Sequence, residues 1–222
     1  MPKSIPSYHG TLRSHSLSVP ECIYQCSGML IFGRRIKSLV FSTDVCIIKN
    51  INADAVIAVY PFTPQPVISQ AIISVSDVPV FVGIGGGLTG GDRAIRLAEV
   101  AENQGAYAVV VNAPIDPEII TKIKSKIELP VVATIVSDKQ DIDERIAAGA
   151  DILNVAASVK TPELVKHIRS KYPDIPIIAT GGPTEESILR TIEAGANSIT
   201  YTPPTNGEVF AGTMQKYRSK YE

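Results

Sequence analysis

Residues 176–208 read PIIATGGPTEESILRTIEAGANSITYTPPTNGE, and this stretch decides the fold. It holds two apolar runs of strand length, a helical segment between them and two polar turns. Short apolar runs bounded by turn residues are typical of buried parallel strands. Gly181-Gly182 leaves backbone N–H groups open to an anion. Two such turns at the end of a series of strand–helix units are where phosphate-binding barrels hold their phosphate.

The same pattern repeats through most of the chain. Gly105, Gly149 and Gly195 each stand between a helical segment and the next apolar run, where a left-handed residue closes a helix. Strands that alternate with helices imply right-handed crossovers and a parallel sheet. Eight apolar, β-branched runs fit the strand template, at 38–42, 55–60, 79–84, 107–112, 130–135, 151–156, 176–180 and 197–202.

Eight strand–helix units predict an α/β fold of the (β/α)8 TIM barrel class over residues 38–222. The chain of 222 residues would make a compact barrel, since about 250 residues are typical. The alternative is an open, doubly wound sheet in which Gly83–Gly91 forms a nucleotide-binding loop. The number of units favours the barrel.

Four sites look like helix starts. Asp116-Pro117 and Thr161-Pro162 each offer a capping side chain followed by a proline suited to the first helical position. Ser137 with Gln140, and Thr205 with Glu208, fit the reciprocal capping box. These signals agree with helices that follow the strands.

Residues 1–37 precede the repeats and are predicted to be an N-terminal extension that packs on the bottom of the barrel. Residues 1–18, with His9 and His15, lack periodicity and are expected to form an arm that orders on contact or stays disordered. Val19–Cys26 predicts a short helix that begins at Pro20.

Gly28–Ile36 predicts a short hairpin with its turn at Gly33-Arg34. Arg34, Arg35 and Lys37 then belong to the bottom face. The cysteines are Cys22, Cys26 and Cys46, an odd number that argues against a disulfide framework and against a zinc site. Cys22 and Cys26 are expected to be packing residues.

Composition narrows the function classes. The chain is 45% hydrophobic and 19% charged, with 21 Lys and Arg against 22 Asp and Glu. Without a basic excess we expect no nucleic-acid partner, and without a long apolar run no membrane partner. The sequence therefore predicts a cytoplasmic protein with a small phosphorylated ligand, and a homodimer is a reasonable expectation.

In a barrel, function sits at the carboxyl ends of the strands. Those ends are rich in hydroxyl, amide and glycine residues and poor in acid–base groups. The candidate catalytic residues are Asp44, Asn112 and Asn154. Mg²⁺ is the one cofactor considered, held by Asp44 with Asp116 and Asp138, although no residue is assigned to a metal site.

The glycine-rich segment after the third barrel strand is the second unusual feature. A loop of this composition is either mobile or approaches a neighbour closely. It is interpreted as a lid or as a second anion-binding loop, and a plain flexible connection is the alternative. The residues concerned are Gly85, Gly86, Gly87 and Thr89.

The Ile178-Ala-Thr-Gly-Gly182 turn resembles the phosphate-binding turn of aldolase-type, ribulose-phosphate-binding barrels, which include keto-acid-phosphate aldolases and sugar-phosphate epimerases. The tail from Thr184 to Thr200 is similar to the glycerol-uptake antiterminator family. The resemblance is specific over about residues 130–208. It implies a phosphate site formed by backbone amides and hydroxyls of Thr180, Gly181, Gly182, Thr202, Thr205, Asn206 and Gly207.

The chain departs from those families at their catalytic positions. The aldolases carry a Schiff-base lysine on the sixth strand, where this chain has Ile152–Val155, and Lys160 falls in the loop beyond. An acid or lysine inside the barrel is also missing. The resemblance therefore implies binding of a sugar phosphate or keto-acid phosphate, with lyase, isomerase or hydrolase chemistry unassigned. The alternatives are a non-catalytic ligand-sensing barrel and a metal-assisted hydrolase that uses aspartates at the barrel mouth.

Overall fold

The computed structural model describes residues 6–8, 10–11 and 16–221. It begins with a two-stranded antiparallel hairpin, β1 (Met29–Ile31) and β2 (Arg34–Ile36). Eight parallel strands then close into a barrel in the order β10-β3-β4-β5-β6-β7-β8-β9. They are β3 (Ser38–Phe41), β4 (Ala55–Ala58), β5 (Val80–Gly85), β6 (Ala108–Val111), β7 (Val131–Ile135), β8 (Ile152–Val155), β9 (Ile177–Thr180) and β10 (Ser198–Tyr201). The predicted (β/α)8 barrel with an N-terminal hairpin is confirmed, and the open sheet is wrong.

A helix follows each barrel strand. Gly105, Gly149 and Gly195 have φ values of 88°, 109° and 110° at the ends of three helices, as the sequence predicts. The helices are α1 (Val45–Lys49), α2 (Pro66–Val75), α3 (Gly91–Asn103), α4 (Pro117–Lys124), α5 (Ile142–Ala147), α6 (Thr161–Lys171), α7 (Glu185–Glu193) and α8 (Asn206–Arg218).

Two of the four predicted helix starts are correct. Asp116 caps α4 through the Glu118 N–H, and Thr205 caps α8 in a capping box. Thr161 lies inside α6, where its hydroxyl accepts from the Ala157 N–H instead. Ser137 and Gln140 close a turn ahead of α5, which is capped by Asp141. The capping signature is local, so a tight turn satisfies it as well as a helix does.

The hairpin fills the lower interior of the barrel. Met29, Ile31 and Ile36 belong to one buried cluster with inward-facing strand residues such as Leu39 and Phe81. Phe32 and Gly33 have φ values of 47° and 78°, so the turn lies one residue earlier than the predicted Gly33-Arg34. Two positive φ values match a type I′ turn, whose twist suits a two-residue hairpin.

The segment that precedes the hairpin runs along the outside of the barrel. A 3-10 helix at Glu21–Gln25 packs against α7 and buries Cys22 and Ile23 in the cluster between strands and helices. The Val19 N–H donates to Asn52 Oδ1 beyond α1. The segment therefore lies between α7 and α1, over β10 and β3, where the eighth helix of a barrel would pack.

Most of the arm predicted at residues 1–18, with His9 and His15, lies outside the described residues. The domain division at residue 37 stays a prediction. Within the described part of the chain, no helix has the length and hydropathy needed to cross a membrane. The cytoplasmic location also stays a prediction.

Polar side chains that precede the strands tie the bottom of the barrel together. Asp54 Oδ2 accepts from the Lys37 and Ser38 N–H groups at 2.9 and 3.0 Å. Asp151 Oδ2 accepts from the Val131 N–H at 2.8 Å, and Asn197 Oδ1 from the Ile177 N–H at 2.9 Å. In each case a side chain that precedes one strand accepts a hydrogen bond from the first N–H of the strand before it in the barrel.

Truncation of Ile36 tests the role of the hairpin as a plug. Ile36→Ala is expected to lower the free energy of unfolding by about 2–5 kcal/mol, because it opens a cavity in a site from which water is excluded. The matched control is Leu30→Ala on the same hairpin, where the side chain is 74% exposed. Urea denaturation measures both, and equal losses would contradict the burial of Ile36.

Thiol labelling tests the position of the 3-10 segment. Cys22 and Cys26 are buried and Cys46 is exposed, and burial raises the pKa of the Cys26 thiol to about 12. We expect Cys46 to react rapidly with a thiol reagent in the native protein and all three cysteines to react in denaturant. Rapid native labelling of Cys26 would contradict the packing described here.

Candidate functional site

The inner surface of the barrel becomes polar towards the carboxyl ends of β7 to β10. Side chains alternate along a strand, so the residues above inward-facing Val132, Ile152 and Ile178 also point inward. They are Thr134, Asn154 and Thr180, joined by Thr200 on β10.

These groups are only partly engaged with one another. Asn154 Nδ2 donates to Thr134 Oγ1 at 3.4 Å, and Thr180 Oγ1 donates to the Val155 carbonyl at 3.2 Å. The Thr200 hydroxyl is buried without a hydrogen-bond partner. The layer therefore retains hydrogen-bonding capacity but carries no ionisable side chain.

The turn after β9 packs so tightly that only glycine fits. A Cβ on Gly181 would lie 2.7 Å from Ile188 Cγ1 and 2.8 Å from Ile199 Cγ2. Gly182 has a φ of 81°, and a Cβ there would lie 2.6 Å from Ser187 Oγ. Packing alone thus accounts for both glycines. The N–H groups of Gly181 and Gly182 nevertheless form no hydrogen bond within the described part of the chain.

A cavity of about 240 Å³ adjoins this turn between β8 and β9. It is lined by Thr180, Gly181 and Gly182 together with Ser158 and Arg190. Sequence reasoning missed Arg190, which lies on α7, and Ser158, whose φ of 56° places a non-glycine residue in the left-handed region. Arg190 forms no ion pair or side-chain hydrogen bond with the described residues. Its place on the helix that directly follows the Gly181-Gly182 turn was the available signal.

The other half of the predicted phosphate site lies apart from that cavity. Thr202, Asn206 and Gly207 are exposed and do not line it. Glu208 Oε2 already accepts from the Thr205 N–H at 2.7 Å and from the Thr205 hydroxyl at 2.8 Å. The bond from the Thr205 N–H is the main reason that the pKa of Glu208 lies below its usual value. A carboxylate therefore occupies the two donors of Thr205, one of the residues expected to meet a phosphate.

The glycine-rich loop after β5 is a closed turn against the end of β6. The Gly86 N–H donates to the Thr89 carbonyl at 2.7 Å, and the Asn112 N–H donates to the Gly85 carbonyl at 2.8 Å. Thr89 is buried, and Gly86 has a φ of 111°. The loop thus approaches a neighbour closely, and its roles as a lid or anion loop stay predictions.

A second cavity, of about 320 Å³, lies between this loop and the turn after β4. Gly85, Gly87, Thr89 and Asn112 line it, so the structure brings one predicted catalytic residue together with three residues of the loop. Its remaining wall is largely apolar, formed by Val59, Tyr60, Pro61, Phe62, Thr63, Pro64, Gly83 and Leu88. Among the described residues, the polar side chains that line this cavity are those of Tyr60, Thr63, Thr89 and Asn112, all of them uncharged at neutral pH.

A buried arginine contacts the backbone next to Asn112. Arg145 on α5 is 8% exposed, and both Arg145 Nη2 and Gln140 Nε2 donate to the Ala113 carbonyl. Burial lowers the pKa of the Arg145 guanidinium. Sequence reasoning missed this contact, because the sequence of a helix does not show that one of its arginines is buried. The arginine fixes the backbone next to Asn112.

The three aspartates considered for Mg²⁺ have local structural roles. Asp44 caps α1 through the Cys46 and Ile47 N–H groups, and Asp116 caps α4. Asp138 lies in the turn before α5, not in its first helical turn, and accepts from the Ser137 hydroxyl. Among the described residues, no three His, Cys, Asp or Glu side chains group to hold a metal ion. The aspartates therefore do not fit a shared Mg²⁺ site.

The charged groups near the sixth barrel strand lie outside the barrel interior. Lys160 is exposed and lines a cavity of about 680 Å³ together with Asp138, Lys139 and His167. Asn154 holds the inward position on β8. The sixth barrel strand therefore presents an amide, and no lysine, to the barrel interior.

Comparisons with known proteins agree with this architecture. No family model matches the chain. A protein of Caldanaerobacter subterraneus subsp. tengcongensis with the provisional name N-acetylmannosamine-6-phosphate 2-epimerase is 31% identical over 111 residues. That match covers 42% of this chain and 46% of the relative, so less than half of the relative's length is represented.

Solved structures share the fold at low identity. A 2,3-dimethylmalate lyase of the PEP mutase/isocitrate lyase superfamily has a TM-score of 0.63 at 12% identity, covering 94% of this chain and 85% of that one. Phosphoenolpyruvate phosphomutase from Streptomyces platensis subsp. rosaceus has a TM-score of 0.61 at 14% identity, with 95% and 85% covered. Phosphonopyruvate hydrolase complexed with oxalate and Mg²⁺ has a TM-score of 0.61 at 14% identity, with 86% and 83% covered.

The fold is an aldolase-type barrel. The resemblance read from the Gly181-Gly182 turn and its flanking elements is confirmed at this level. Relatives under 25% identical establish the architecture alone, and the assigned roles of individual site residues stay predictions.

Substitution in the glycine-rich loop tests its closed geometry. Gly86→Ala places a Cβ 2.7 Å from the Asn112 nitrogen at a positive φ, and we expect a loss of about 1–3 kcal/mol in the free energy of unfolding. Gly87→Ala is the control, since its Cβ would meet nothing within 4 Å. Chemical denaturation measures both variants. An unchanged Gly86→Ala protein would mean that the loop does not hold this conformation.

Proposed function

We propose that this barrel binds a small phosphorylated metabolite at the carboxyl ends of its strands, with the phosphate at the turn after β9. The observation that carries the proposal is that Gly181 and Gly182, whose N–H groups form no hydrogen bond with the described residues, line one cavity with Arg190, which forms no ion pair with them. Successive backbone amides form an anion-binding concavity, and arginine supplies a fork of donors matched to phosphate oxygens.

The names of related proteins support a phosphorylated or phosphonate ligand. The sequence relative is named for N-acetylmannosamine-6-phosphate, and structural neighbours for phosphoenolpyruvate and phosphonopyruvate. A sugar phosphate or keto-acid phosphate is therefore the ligand class of the proposal. Relative to the sequence prediction, the proposed phosphate moves from Thr205, Asn206 and Gly207 towards Arg190.

The residues of the site limit the choice of reaction less than they limit the choice of ligand. Lyase, isomerase and hydrolase chemistry all need a group that moves a proton or attacks the substrate, and the inward layer offers Thr134, Asn154, Thr180 and Thr200. This absence of an ionisable inward side chain favours a second candidate function, a ligand-sensing barrel without catalysis. The metal-assisted alternative is weaker, because Asp44 and Asp116 cap helices and Asp138 lies in a turn.

Thermal unfolding with ligand tests the phosphate site. Millimolar phosphate or glycerol 3-phosphate is expected to raise the Tm of the wild type by several degrees, since a ligand at 100 times its Kd adds about 2.7 kcal/mol. Arg190→Ala should weaken binding about tenfold or more, because a charged donor is lost. Arg96→Ala, which removes an exposed arginine from α3, is the matched control and should keep the shift.

The same measurement separates the two possible phosphate positions. Thr205→Ala should leave the ligand-induced shift intact, whatever it does to the stability of α8. A shift lost in Thr205→Ala and kept in Arg190→Ala would place the anion at α8 and refute the proposal. Phosphorus NMR of the ligand after incubation then distinguishes turnover from binding alone.

A further inference from the structure

The cavity of about 320 Å³ at the ends of β4, β5 and β6 lies apart from the proposed phosphate site. Among the described residues, none lines both this cavity and the one beside Gly181 and Gly182. β5 lies four strands from β9 in the closed ring of eight, so the two cavities lie on opposite sides of the barrel mouth. The proposed function therefore gives no role to this second cavity, here called the apolar cavity.

The apolar cavity has the size and the wall of a small-molecule site. Its volume of about 320 Å³ falls within the range of about 300–1,000 Å³ that is usual for such sites, and about 150 Å³ is enough to hold benzene. Phe62 in the turn after β4 is 73% exposed, and Leu88 in the glycine-rich loop is fully exposed. Large apolar side chains that remain exposed around a cavity indicate a surface that a ligand covers.

Both loops that form the apolar cavity are fixed by contacts of their own. The Gly86 N–H donates to the Thr89 carbonyl at 2.7 Å and closes the glycine-rich loop. The Tyr60 hydroxyl accepts from the Gln65 N–H at 2.8 Å and closes the turn after β4. The cavity is therefore formed before any ligand arrives, as small-molecule sites usually are.

Two uncharged polar groups of the cavity wall have no partner. Thr89 is only 5% exposed, and its hydroxyl forms no hydrogen bond with the described residues. The side-chain amide of Asn112 forms none with them either. Polar groups held in an apolar wall gain free energy when a ligand bonds to them. A hydroxyl or a carbonyl suits both groups, whereas an ionised group would leave water without a charged partner among the described lining residues.

We propose that the apolar cavity binds a small uncharged molecule that carries a hydroxyl or carbonyl group on an apolar body. The apolar body packs against Phe62 and Leu88 and supplies most of the binding free energy. Thr89 and Asn112 bond to its polar group and fix its orientation. This binding is independent of the phosphate site, so either site is able to fail its test without the other.

A titration with benzyl alcohol, followed by NMR of the isotope-labelled protein, tests the location. The backbone amide signals of Gly85, Thr89 and Asn112 should shift progressively. Leu88→Ser should weaken binding about fivefold, because it removes an exposed apolar contact and leaves the fold intact. Leu30→Ser is the matched control, since Leu30 is 74% exposed on the hairpin at the other end of the barrel. Unchanged signals up to the solubility limit of benzyl alcohol, or equal losses in the two variants, would overturn the proposal.

A comparison of benzyl alcohol with toluene tests the hydrogen bond. Thr89→Val keeps the shape of the side chain and removes a hydroxyl that has no partner among the described residues, so the loop should keep its fold. The variant should bind benzyl alcohol about threefold to tenfold more weakly, because one neutral hydrogen bond is lost. Its affinity for toluene, which has no polar group, should be unchanged. Equal effects on the two probes would refute the role of Thr89.

Discussion

Closure of the sheet between β10 and β3 is the constraint on which the rest of the molecule depends. The Ile199 N–H donates to the Lys37 carbonyl at 2.9 Å, and Ile199 lies in register with Ser38. A closed sheet has no edge to protect, but its interior must be filled and its outer face covered. The hairpin fills the lower interior and the N-terminal segment covers the closing strands. The upper ends of β7 to β10 then present the polar side chains of Thr134, Asn154, Thr180 and Thr200 to the interior.

Most of this architecture could be predicted from the sequence, because it rests on local chemistry. Most barrel strands are apolar runs with β-branched residues, and Gly105, Gly149 and Gly195 mark helix ends by adopting φ values that other residues avoid. The failures have an equally local cause. Ser137 with Gln140 satisfies the capping signature in a turn, and Phe32 accepts a positive φ while its ring meets Tyr107 edge-on at 5.4 Å. Burial of that hairpin compensates for a conformation that propensity disfavours.

The candidate site could be predicted only in part, because it depends on which side chains meet in space. The turn at Gly181-Gly182 was identifiable, yet its glycines are required by Ile188 and Ile199 whatever the ligand. The contribution of Arg190 depends on how α7 packs. Glu208 correctly predicted the start of α8, as part of its capping box. Its carboxylate also neutralises the N-terminus of α8, which the sequence analysis expected to attract an anion.

The contacts between the two ends of the chain constrain how the protein folds during synthesis. Asn197 Nδ2 donates to Ser27 Oγ, and Ser198 Oγ donates to the Ile36 carbonyl, across 170 and 162 residues of sequence. The hairpin and the 3-10 segment are synthesised well before β10, the strand that completes their binding site. Contacts of such separation are slow to form, so the apolar faces of Met29, Ile31 and Ile23 stay uncovered at least until β10 has been synthesised. Transiently exposed apolar surface of this kind makes a partly folded chain prone to aggregation.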